Sequence, residues 1–395
     1  MKIPDLRKAT VTEFLAKKSL PDKVRRCLEI RQSLSKSSTA KFKAMLGREH
    51  NNRICDTLMY HGASTGRWTA RGIQPQNLPR GSFKDVDFCI ELIKQKDANG
   101  IEMLFGDLMD SISTCIRAAI CAPEGSVLIC ADFSSIEARV LAWLADEQKV
   151  LDSFVSGLDL YKVAATSIYG KNYEEITKAE RQIGKVSVLA LGYQGGVGAF
   201  QAMANGYGVK VDNDVAQGIV DSWRNGHQKI KQFWWNTEKA AVDAVEKGEA
   251  CRVGKTIWAT VNNFLHCRLP SGRVLSYYKP YLEMTLTPWK KMKNVLHFTG
   301  VDTYSKKWSD QTTYGGKLVE NVCQAVARDF MAEAMLRVEK AGYKTVLTVH
   351  DEIVVEMEEG KGSLEELENL MSVVPEWGLG CPIEAEGWIG KRYRK

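Results

Sequence analysis

The sequence predicts an α+β fold, in which the strands of a central sheet are combined with long helical stretches. Two apolar runs, VLIC before Ala131 and VLTV before His350, predict buried strands that stop at acidic residues. Helical patterns dominate from about 146 to 290, and CRLPSGRVLSYY at 267–278 predicts a hairpin that turns at Pro-Ser-Gly. Because 395 residues are too many for one ordinary core, we expect two or three subdomains that share the sheet.

The sequence also predicts the other helices and strands along the chain. Residues 11–46 predict helices, the second of which opens at Pro21. From 51 to about 145 the pattern alternates loops, short strands and the helix after Asp132. Near the end, LVENVCQAVARDFMAEAMLRVEKAG predicts a long helix that leads into a pair of strands around His350.

Composition excludes several classes of protein. Lys and Arg outnumber Asp and Glu by 54 to 48, a formal charge of +6, which suits a nucleic-acid groove but not a strongly basic DNA-coating protein. The ten cysteines show no CxxC pair and no zinc-type Cys/His spacing, so we expect reduced and mostly buried thiols. The start has no signal-peptide pattern, and no window approaches about 18 uninterrupted apolar residues. We therefore expect a cytoplasmic protein with no membrane span.

Asp132 and Asp351 stand at the ends of the two predicted strands, where side chains can converge over the edge of a sheet. Mg²⁺ prefers oxygen ligands and commonly bridges one or two carboxylates to the phosphates of a substrate. Two such ions can stabilise the attacking and leaving oxygens of an in-line displacement. The pair of acids therefore indicates nucleotidyl transfer with two magnesium ions, although either Asp alone would be interpreted as an ordinary solvated carboxylate.

Two helix patterns carry further polar residues. Ser134 and Glu137 form an S-x-x-E pattern, which predicts a capping box at the start of the helix after Asp132. Arg181 and Lys185 lie four residues apart on a predicted helix and so share one face. Two cations of this kind suit the oxygens of a triphosphate, although an exposed basic helix face is the alternative.

Four segments, in this order along the chain, resemble the motifs of family A DNA polymerases. GASTGRWTARGIQPQNLPR at 62–80 is similar to the primer-template element, and DFSSIEARVLA at 132–142 to the first catalytic motif. RQIGKVSVLALGYQGG at 181–196 resembles the fingers-helix motif, and VHDE at 349–352 the second catalytic motif. The spelling ALGYQGGVGAF looks most like bacteriophage members. The resemblance implies a right-hand polymerase with an antiparallel palm sheet and helical fingers.

The resemblance also implies a division of the chain. A helical thumb remnant would occupy 1–50, the first part of the palm 51–145, the fingers 146–290 and the second part of the palm 291–395. Full-length members carry most of a thumb, and usually a proofreading exonuclease, before this point. The first hundred residues show no paired acidic DxE element, so we expect no proofreading by this chain.

Several residues take their expected roles from the family. Asp132 and Asp351 would be the catalytic metal ligands, with the carbonyl of Phe133 as a third oxygen. Glu352 would have a supporting catalytic role, because neighbouring strand residues point to opposite faces. The residues near the primer and template would be Arg67, Gln76, Asn77, Gln324 and His350.

The nucleotide site would be made by the helix cations and two further residues. Glu137 would close the space that a ribose 2′-hydroxyl needs, and Tyr193 would lie at the base of the pocket. Leu189, four residues after Lys185 on the same helix face, would also line the nucleotide site. It replaces an aromatic residue of the family, so sensitivity to dideoxynucleotides is not carried over. Tyr161 replaces a His that contacts phosphate, and that contact is not carried over either.

The expected function is a template-directed DNA polymerase that adds deoxynucleotides to a primer 3′-end in the cytoplasm of a bacterial host. A single-subunit RNA polymerase is one alternative, against which Glu137 argues. A truncated remnant or DNA-binding subunit is another, and a split polymerase with a separate thumb and exonuclease polypeptide, or a processivity factor, is a third. The expected ligands are primer-template DNA and deoxynucleoside triphosphates.

Overall fold

The structure is a computed structural model that describes residues 3, 5–17, 19–34, 39–79, 81, 83–286, 292–302 and 305–394. Arg80, which ends the predicted primer-template segment, lies outside this part of the chain. The helices are α1 (Lys8–Leu15), α2 (Asp22–Leu34), α3 (Ala40–Leu46), α4 (Val86–Gln95), α5 (Ala98–Phe105), α6 (Leu108–Thr114), α7 (Ile136–Ala145), α8 (Gln148–Val155), α9 (Leu160–Tyr169), α10 (Lys178–Leu191), α11 (Val197–Gly206), α12 (Asn213–Gly226), α13 (Gln228–Lys247), α14 (Gly315–Lys340) and α15 (Leu364–Ser372).

Short strands lie near the amino terminus and two larger sheets follow. The strands are β1 (Glu49–His50), β2 (Arg53–Ile54), β3 (Leu58–Met59), β4 (Thr69–Ala70), β5 (Ser126–Phe133), β6 (Cys251–Val253), β7 (Thr256–Val261), β8 (Phe264–Arg268), β9 (Val274–Leu286), β10 (Met292–Val301), β11 (Trp308–Thr313), β12 (Lys344–Val349), β13 (Glu352–Glu358) and β14 (Ala385–Gly390).

The central sheet has the order β12-β13-β5-β14 and is antiparallel throughout. Its middle strand β5 comes from the first half of the chain and its other strands from the end. Alternate β5 residues enter different cores, because Ile129 and Ala131 pack with α7 and α14 residues while Leu128 and Cys130 pack with Val354 on the opposite face. This sheet confirms the predicted α+β fold with an antiparallel sheet.

The segment from α8 to α13 is helical, as predicted, as far as Lys247. Helices α9 and α10 approach closely at Gly184, where a Cβ would lie 2.0 Å from the carbonyl oxygen of Tyr161. Helix α10 ends at Leu191, and Gly192 caps it, so the following glycines end the helix rather than form a phosphate loop. The close packing fixes the helix that carries Arg181 and Lys185 against its neighbour.

The prediction of a mainly helical segment is wrong from Cys251 onward, where the chain enters a six-stranded sheet of order β11-β10-β9-β8-β7-β6. Strand β7 alternates buried and more exposed positions, the period of a half-buried strand, and its buried Trp258 belongs to the main core. The predicted hairpin is confirmed, because β8 pairs with β9 around a turn closed by the amide of Leu269 and the carbonyl of Arg273.

Two expectations from composition can be compared with the structure. All ten cysteines are free, and six of them are buried, in agreement with reduced and mostly buried thiols. Within the described residues, no helix is both long and apolar enough to cross a bilayer.

Gly387 tests the pairing of β14 with β5. A Cβ at this position would lie 1.9 Å from the carbonyl oxygen of Cys130, so Gly387→Ala must push the strands apart. We expect the free energy of unfolding to fall by about 1–3 kcal/mol in urea denaturation. The matched control is Gly218→Ala in α12, where no atom lies within 4 Å, and it should stabilise the protein by about 0.5–1 kcal/mol. Equal effects of the two substitutions would contradict the strand pairing.

Candidate active site

The two acidic strand ends meet at one edge of the central sheet. Asp132 lies directly opposite Glu352 in the β5–β13 ladder, and the amide of Phe133 donates a hydrogen bond of 3.3 Å to the carbonyl of Asp351. This ladder confirms the predicted convergence of the two strand ends. Asp132 and Asp351 are both half-buried, so substrate oxygens can reach them.

A tight turn places Asp351 at this edge. Val349 of β12 pairs with Glu352 of β13, which leaves His350 and Asp351 as the two residues of the turn. His350 is exposed and has a left-handed backbone with φ of 60°, as two-residue hairpins require at the first turn position. Asp351 therefore lies just beyond the paired residues of β12 and β13.

The donor set suits magnesium that is shared with a substrate. Among the described residues, no cluster of three or more His, Cys, Asp or Glu is arranged to hold a metal. Two aspartates and backbone carbonyls are hard oxygen donors, and Mg²⁺ commonly uses one or two carboxylates together with waters and substrate phosphates. Asp132, Asp351 and the carbonyl of Phe133 thus fit a site completed by phosphate oxygens, and not a closed protein cage.

Glu352 differs from its predicted setting. We expected Asp351 and Glu352 to point to opposite faces of one strand, but Asp351 lies in the turn before the strand. Glu352 pairs with Asp132, so these two side chains lie on the same face of the sheet. Its side chain is 2% exposed and accepts a hydrogen bond of 2.6 Å from the hydroxyl of Tyr393. Arg117 donates to the same hydroxyl at 3.3 Å. Burial, together with the nearby Glu352 carboxylate, raises the pKa of Tyr393, so this phenol keeps its proton.

The predicted capping box at Ser134 and Glu137 is wrong. Helix α7 begins at Ile136 after Ser135, whose left-handed backbone (φ 52°) turns the chain, and no side chain caps the helix start. The hydroxyl of Ser134 instead donates to Glu386 on β14 at 2.7 Å. Glu137 is therefore free of a capping role and points toward other partners. The apolar side chains Ile136, Val140, Trp143 and Leu144 of α7 are all buried.

Glu137 joins two residues that were predicted from different motifs. Arg67 donates to one of its oxygens at 2.5 Å, and the hydroxyl of Tyr193 donates to the other at 3.0 Å. Burial raises the pKa of Tyr193 well above its usual range, so Tyr193 acts as a donor at neutral pH. We call Arg67, Glu137 and Tyr193 the Glu137 cluster.

The loop that carries Arg67 is held by residues that the sequence analysis missed. Arg328 donates to the carbonyl of Gly66 at 3.0 Å, and Arg273 donates to the carbonyl of Thr65 at 3.0 Å. Arg273 is itself paired with the buried Asp329 at 2.7 Å. The R-D pair in the predicted long helix was the available signal, because charged residues that face a core need partners.

The two cations of α10 lie over aromatic rings. The guanidinium of Arg181 is 5.1 Å from the ring of Tyr161, and Lys185 is 4.7 Å from the ring of Tyr207. Arg181 also donates to Asp159 at 2.6 Å. Leu189, further along the same helix, is 42% exposed.

Asp159 was not predicted, although an Asp just before an apolar helix pattern is a typical cap. One of its oxygens caps α9 by accepting from the amides of Tyr161 and Lys162. Burial acts to raise the pKa of Asp159, but the Arg181 guanidinium and the two amides outweigh it, and the pKa lies below its usual range.

The remaining predicted DNA contacts are spread over two elements. Gln76 and Asn77 lie in a short 3₁₀ turn (Pro75–Asn77), where Asn77 is exposed and donates to Gln74 at 3.3 Å. Gln324 is half-buried on α14 and donates to Glu320 at 3.2 Å. The structure thus brings Arg67 into contact with a predicted nucleotide residue and leaves Gln76 and Asn77 on a separate turn.

Comparisons with known proteins agree with this geometry. The family model described as DNA polymerase family A matches residues 5–260. The DNA polymerase of Bacillus phage SP02 is 38% identical over 392 residues, which cover 97% of this chain and 59% of that protein. DNA polymerase I of Aquifex aeolicus (strain VF5) is 32% identical over 135 residues, 34% of this chain and 23% of that protein.

A solved structure shows the same fold. The POL domain of Pol1 from M. smegmatis, in complex with DNA primer-template and dNTP, matches with a TM-score of 0.62 at 18% identity. The match covers 98% of this chain and 56% of that one. This chain spans less than two thirds of the length of these relatives. The similarity to phage and bacterial polymerases confirms the resemblance predicted from the four motifs, and the chain belongs to DNA polymerase family A.

Proposed function

We propose that this chain is a template-directed DNA polymerase, which adds deoxynucleotides to a primer 3′-end by nucleotidyl transfer with two magnesium ions. The observation that carries the proposal is the meeting of Asp132 and Asp351 at one end of the central sheet, with Glu137 five positions after Asp132. Primer-template DNA and deoxynucleoside triphosphates are the proposed ligands. A bacterial cytoplasm is the proposed compartment, and proofreading is not part of the proposed activity.

The domain assignment is part of the same proposal. The central sheet with α7 and α14 would form the palm, and α8 to α13 the fingers. The helices of residues 1–50 would be the thumb remnant. The six-stranded sheet crosses the proposed boundary at residue 290, because β9 and β10 pair with each other on either side of it.

The chemistry follows from what the side chains can hold. Asp132, Asp351 and the Phe133 carbonyl would hold magnesium, which supplies activation of the primer hydroxyl and neutralisation of phosphate charge. Asp132 and Asp351 would fix the position of the magnesium at the end of the sheet, because carboxylates alone would repel a phosphate. Glu352 is buried and accepts a hydrogen bond from Tyr393, and this contact would stabilise the start of β13. Rate enhancement then comes mainly from positioning and electrostatics.

The Glu137 cluster accounts for the choice of sugar. Glu137 is gripped at both oxygens, by Arg67 and by Tyr193, so its carboxylate cannot swing away. A ribose 2′-hydroxyl placed against this carboxylate would meet a fixed, already satisfied group. Discrimination against ribonucleotides, and against the RNA polymerase alternative, is proposed to rest on this rigidity.

Arg181 and Lys185 would receive the triphosphate. Both cations lie above aromatic rings, which align them without neutralising their charge. Asp159 accepts a hydrogen bond from Nε of Arg181, so a β- or γ-phosphate can bind the two terminal nitrogens of the guanidinium group. Departing pyrophosphate would be stabilised by the same two side chains.

Asp132→Asn tests the metal-holding role. The amide keeps the size of the carboxylate but loses its charge, so we expect primer extension to fall at least about 100-fold while binding of primer-template DNA changes little. Extension is measured on a labelled primer with magnesium and deoxynucleotides. Asp214→Asn, which removes an exposed carboxylate from the first turn of α12, is the control and should retain full activity. Substantial synthesis by Asp132→Asn would sink the assignment.

Tyr193→Phe and Glu137→Ala test the choice of sugar at two levels. Glu137→Ala removes the carboxylate, and we expect the preference for deoxy- over ribonucleotides to fall at least about tenfold. Tyr193→Phe removes one grip on that carboxylate and should lower the preference by a smaller factor. Single-nucleotide incorporation with matched dNTP and rNTP pairs measures both. If Glu137→Ala keeps the wild-type preference for deoxynucleotides, Glu137 has no role in sugar selection.

Salt dependence tests the DNA groove. Neutralised phosphates release counterions, so affinity for primer-template DNA should fall about a thousandfold between about 50 and 200 mM salt if six or more phosphates are contacted. Fluorescence anisotropy of a labelled duplex measures this slope. A nearly flat dependence would argue against an extended groove, whether or not extension is observed.

A further inference from the structure

The six-stranded sheet has one covered face and one open face. Trp258, Leu265 and Tyr277 point into the main core, which includes residues of α13 and α14. The opposite face follows from the register, in which Phe264 pairs with Tyr278 and Tyr278 with Thr299. On this face Trp308, Val301 and Tyr281 are exposed, while Phe264, His266 and Tyr278 are half-buried.

Four rings form a row across this open face. His266 stacks on Phe264 with ring centroids 5.6 Å apart, and Phe264 lies 5.0 Å from Tyr278. The edge of Trp308 meets Tyr278 at 6.2 Å. We call His266, Phe264, Tyr278 and Trp308 the aromatic row.

Sheet stability alone does not explain the aromatic row. Cross-strand aromatic pairs do stabilise sheets, and they account for the contact between Phe264 and Tyr278. Trp308 is different, because it stands on the edge strand β11 and is 65% exposed. Its cross-strand neighbour Val301 is 53% exposed. Such a patch of exposed apolar side chains marks an interaction surface.

A β-bulge shapes the row. The register of β9 and β10 shifts between His297 and Thr299, and Lys279 in the bulge has a left-handed backbone with φ of 47°. The shift leaves Tyr278 and Tyr281 on the same face, although an unbroken strand would put them on opposite faces. The ammonium group of Lys279 lies 5.4 Å from the ring of Tyr278.

Both cations and acids lie near the row, but the acids next to it are already hydrogen-bonded. Lys279, Lys306, Lys307 and Arg268 are all exposed beside the row or at the ends of its strands. Asp310 lies beside the row, two positions after Trp308 on the same face, and is bonded to His297 at 2.7 Å. Glu283 lies further away, 3.6 Å from the other ring nitrogen of His297. Asp302, in the turn before β11, accepts from the amide of Ser305. Among these residues the four cations outnumber the two acids next to the rings, Asp310 and Asp302, and both acids already have hydrogen-bond partners.

We propose that the aromatic row binds single-stranded DNA, with bases stacked on the rings and phosphates held by the bordering lysines. Every base offers a π-face, so stacking combined with cations binds single strands without regard to sequence. Charge complementarity selects this occupant, because a purely apolar partner would gain nothing from Lys279, Lys306 and Lys307. If the chain is a polymerase as proposed, the unpaired part of the template is the natural strand for this surface.

The experiment measures single-strand binding apart from the duplex groove. Labelled oligo(dT) of about 20 nucleotides is titrated by anisotropy in the presence of saturating unlabelled hairpin duplex. Trp308→Ala should raise the Kd at least about fivefold, since stacking contributes about 1–3 kcal/mol per base. Trp235→Ala, which removes a 48% exposed Trp from α13, is the control and should leave the Kd unchanged.

Two further variants keep the test decisive. Trp308→Phe retains a ring and should bind close to wild type, which guards against a misfolded Trp308→Ala. Lys306→Gln with Lys307→Gln should reduce the salt slope of oligo(dT) binding by about one to two. An unchanged Kd in Trp308→Ala overturns the proposal. So does sedimentation that shows wild-type dimers and Trp308→Ala monomers with equal oligo(dT) affinity.

The outcome is separable from the proposed polymerase activity. Primer extension on a template with a single unpaired nucleotide does not need the row, so Trp308→Ala should extend it as the wild type does. Loss of oligo(dT) binding with intact extension supports the inference. If the wild type extends no primer but binds oligo(dT) through Trp308, the polymerase proposal fails and the inference stands.

Discussion

The pairing of β5 with β13 is the constraint on which the site depends. It sets Asp132 opposite Glu352, and through the Phe133 amide it fixes the turn that carries Asp351. A shift of one residue would move every side chain of β5 to the other face, and would send Asp132 into the core with Ile129 and its neighbours. Both faces of β5 are packed against other residues, so the shifted register would disrupt both cores. The acids therefore stay at the end of the sheet.

The second organising contact is the shared carboxylate of Glu137. It connects the loop of Arg67, the start of α7 and the end of α10, three elements that are far apart in sequence. A single half-buried acid between a guanidinium and a phenol is well satisfied, and its removal leaves two donors unpaired in a partly dry site. The positions of the Arg67 loop and of Tyr193 are thereby linked through one side chain.

Local sequence patterns predicted the strands and the hairpin that position the site, but they did not predict its long-range contacts. The apolar runs before Asp132 and Asp351 and the Pro-Ser-Gly turn are short-range signals, and the structure agrees with them. The S-x-x-E pattern failed because Ser135 adopts a left-handed conformation that no pattern of neighbours reveals. The salt bridge of Arg181 with Asp159 and the hydrogen bond from Arg273 to the carbonyl of Thr65 join distant residues, so spacing along the chain does not show them. The sheet after Cys251 was missed although β7, with the sequence TIWATV, is rich in the β-branched and aromatic residues that favour strands.

The hydrogen bond between Arg117 and Tyr393 spans 276 positions, and the strand that pairs with β5 on its other side begins at Ala385. Long loops must close before such contacts form, which makes folding slow compared with a helical bundle of similar size. During synthesis β5 leaves the ribosome long before either of its neighbours, with both edges unpaired. The apolar strand β5 therefore has to stay protected until β13 and β14 have been synthesised, more than 200 residues later, and chaperones that shield exposed strand edges would act in this interval.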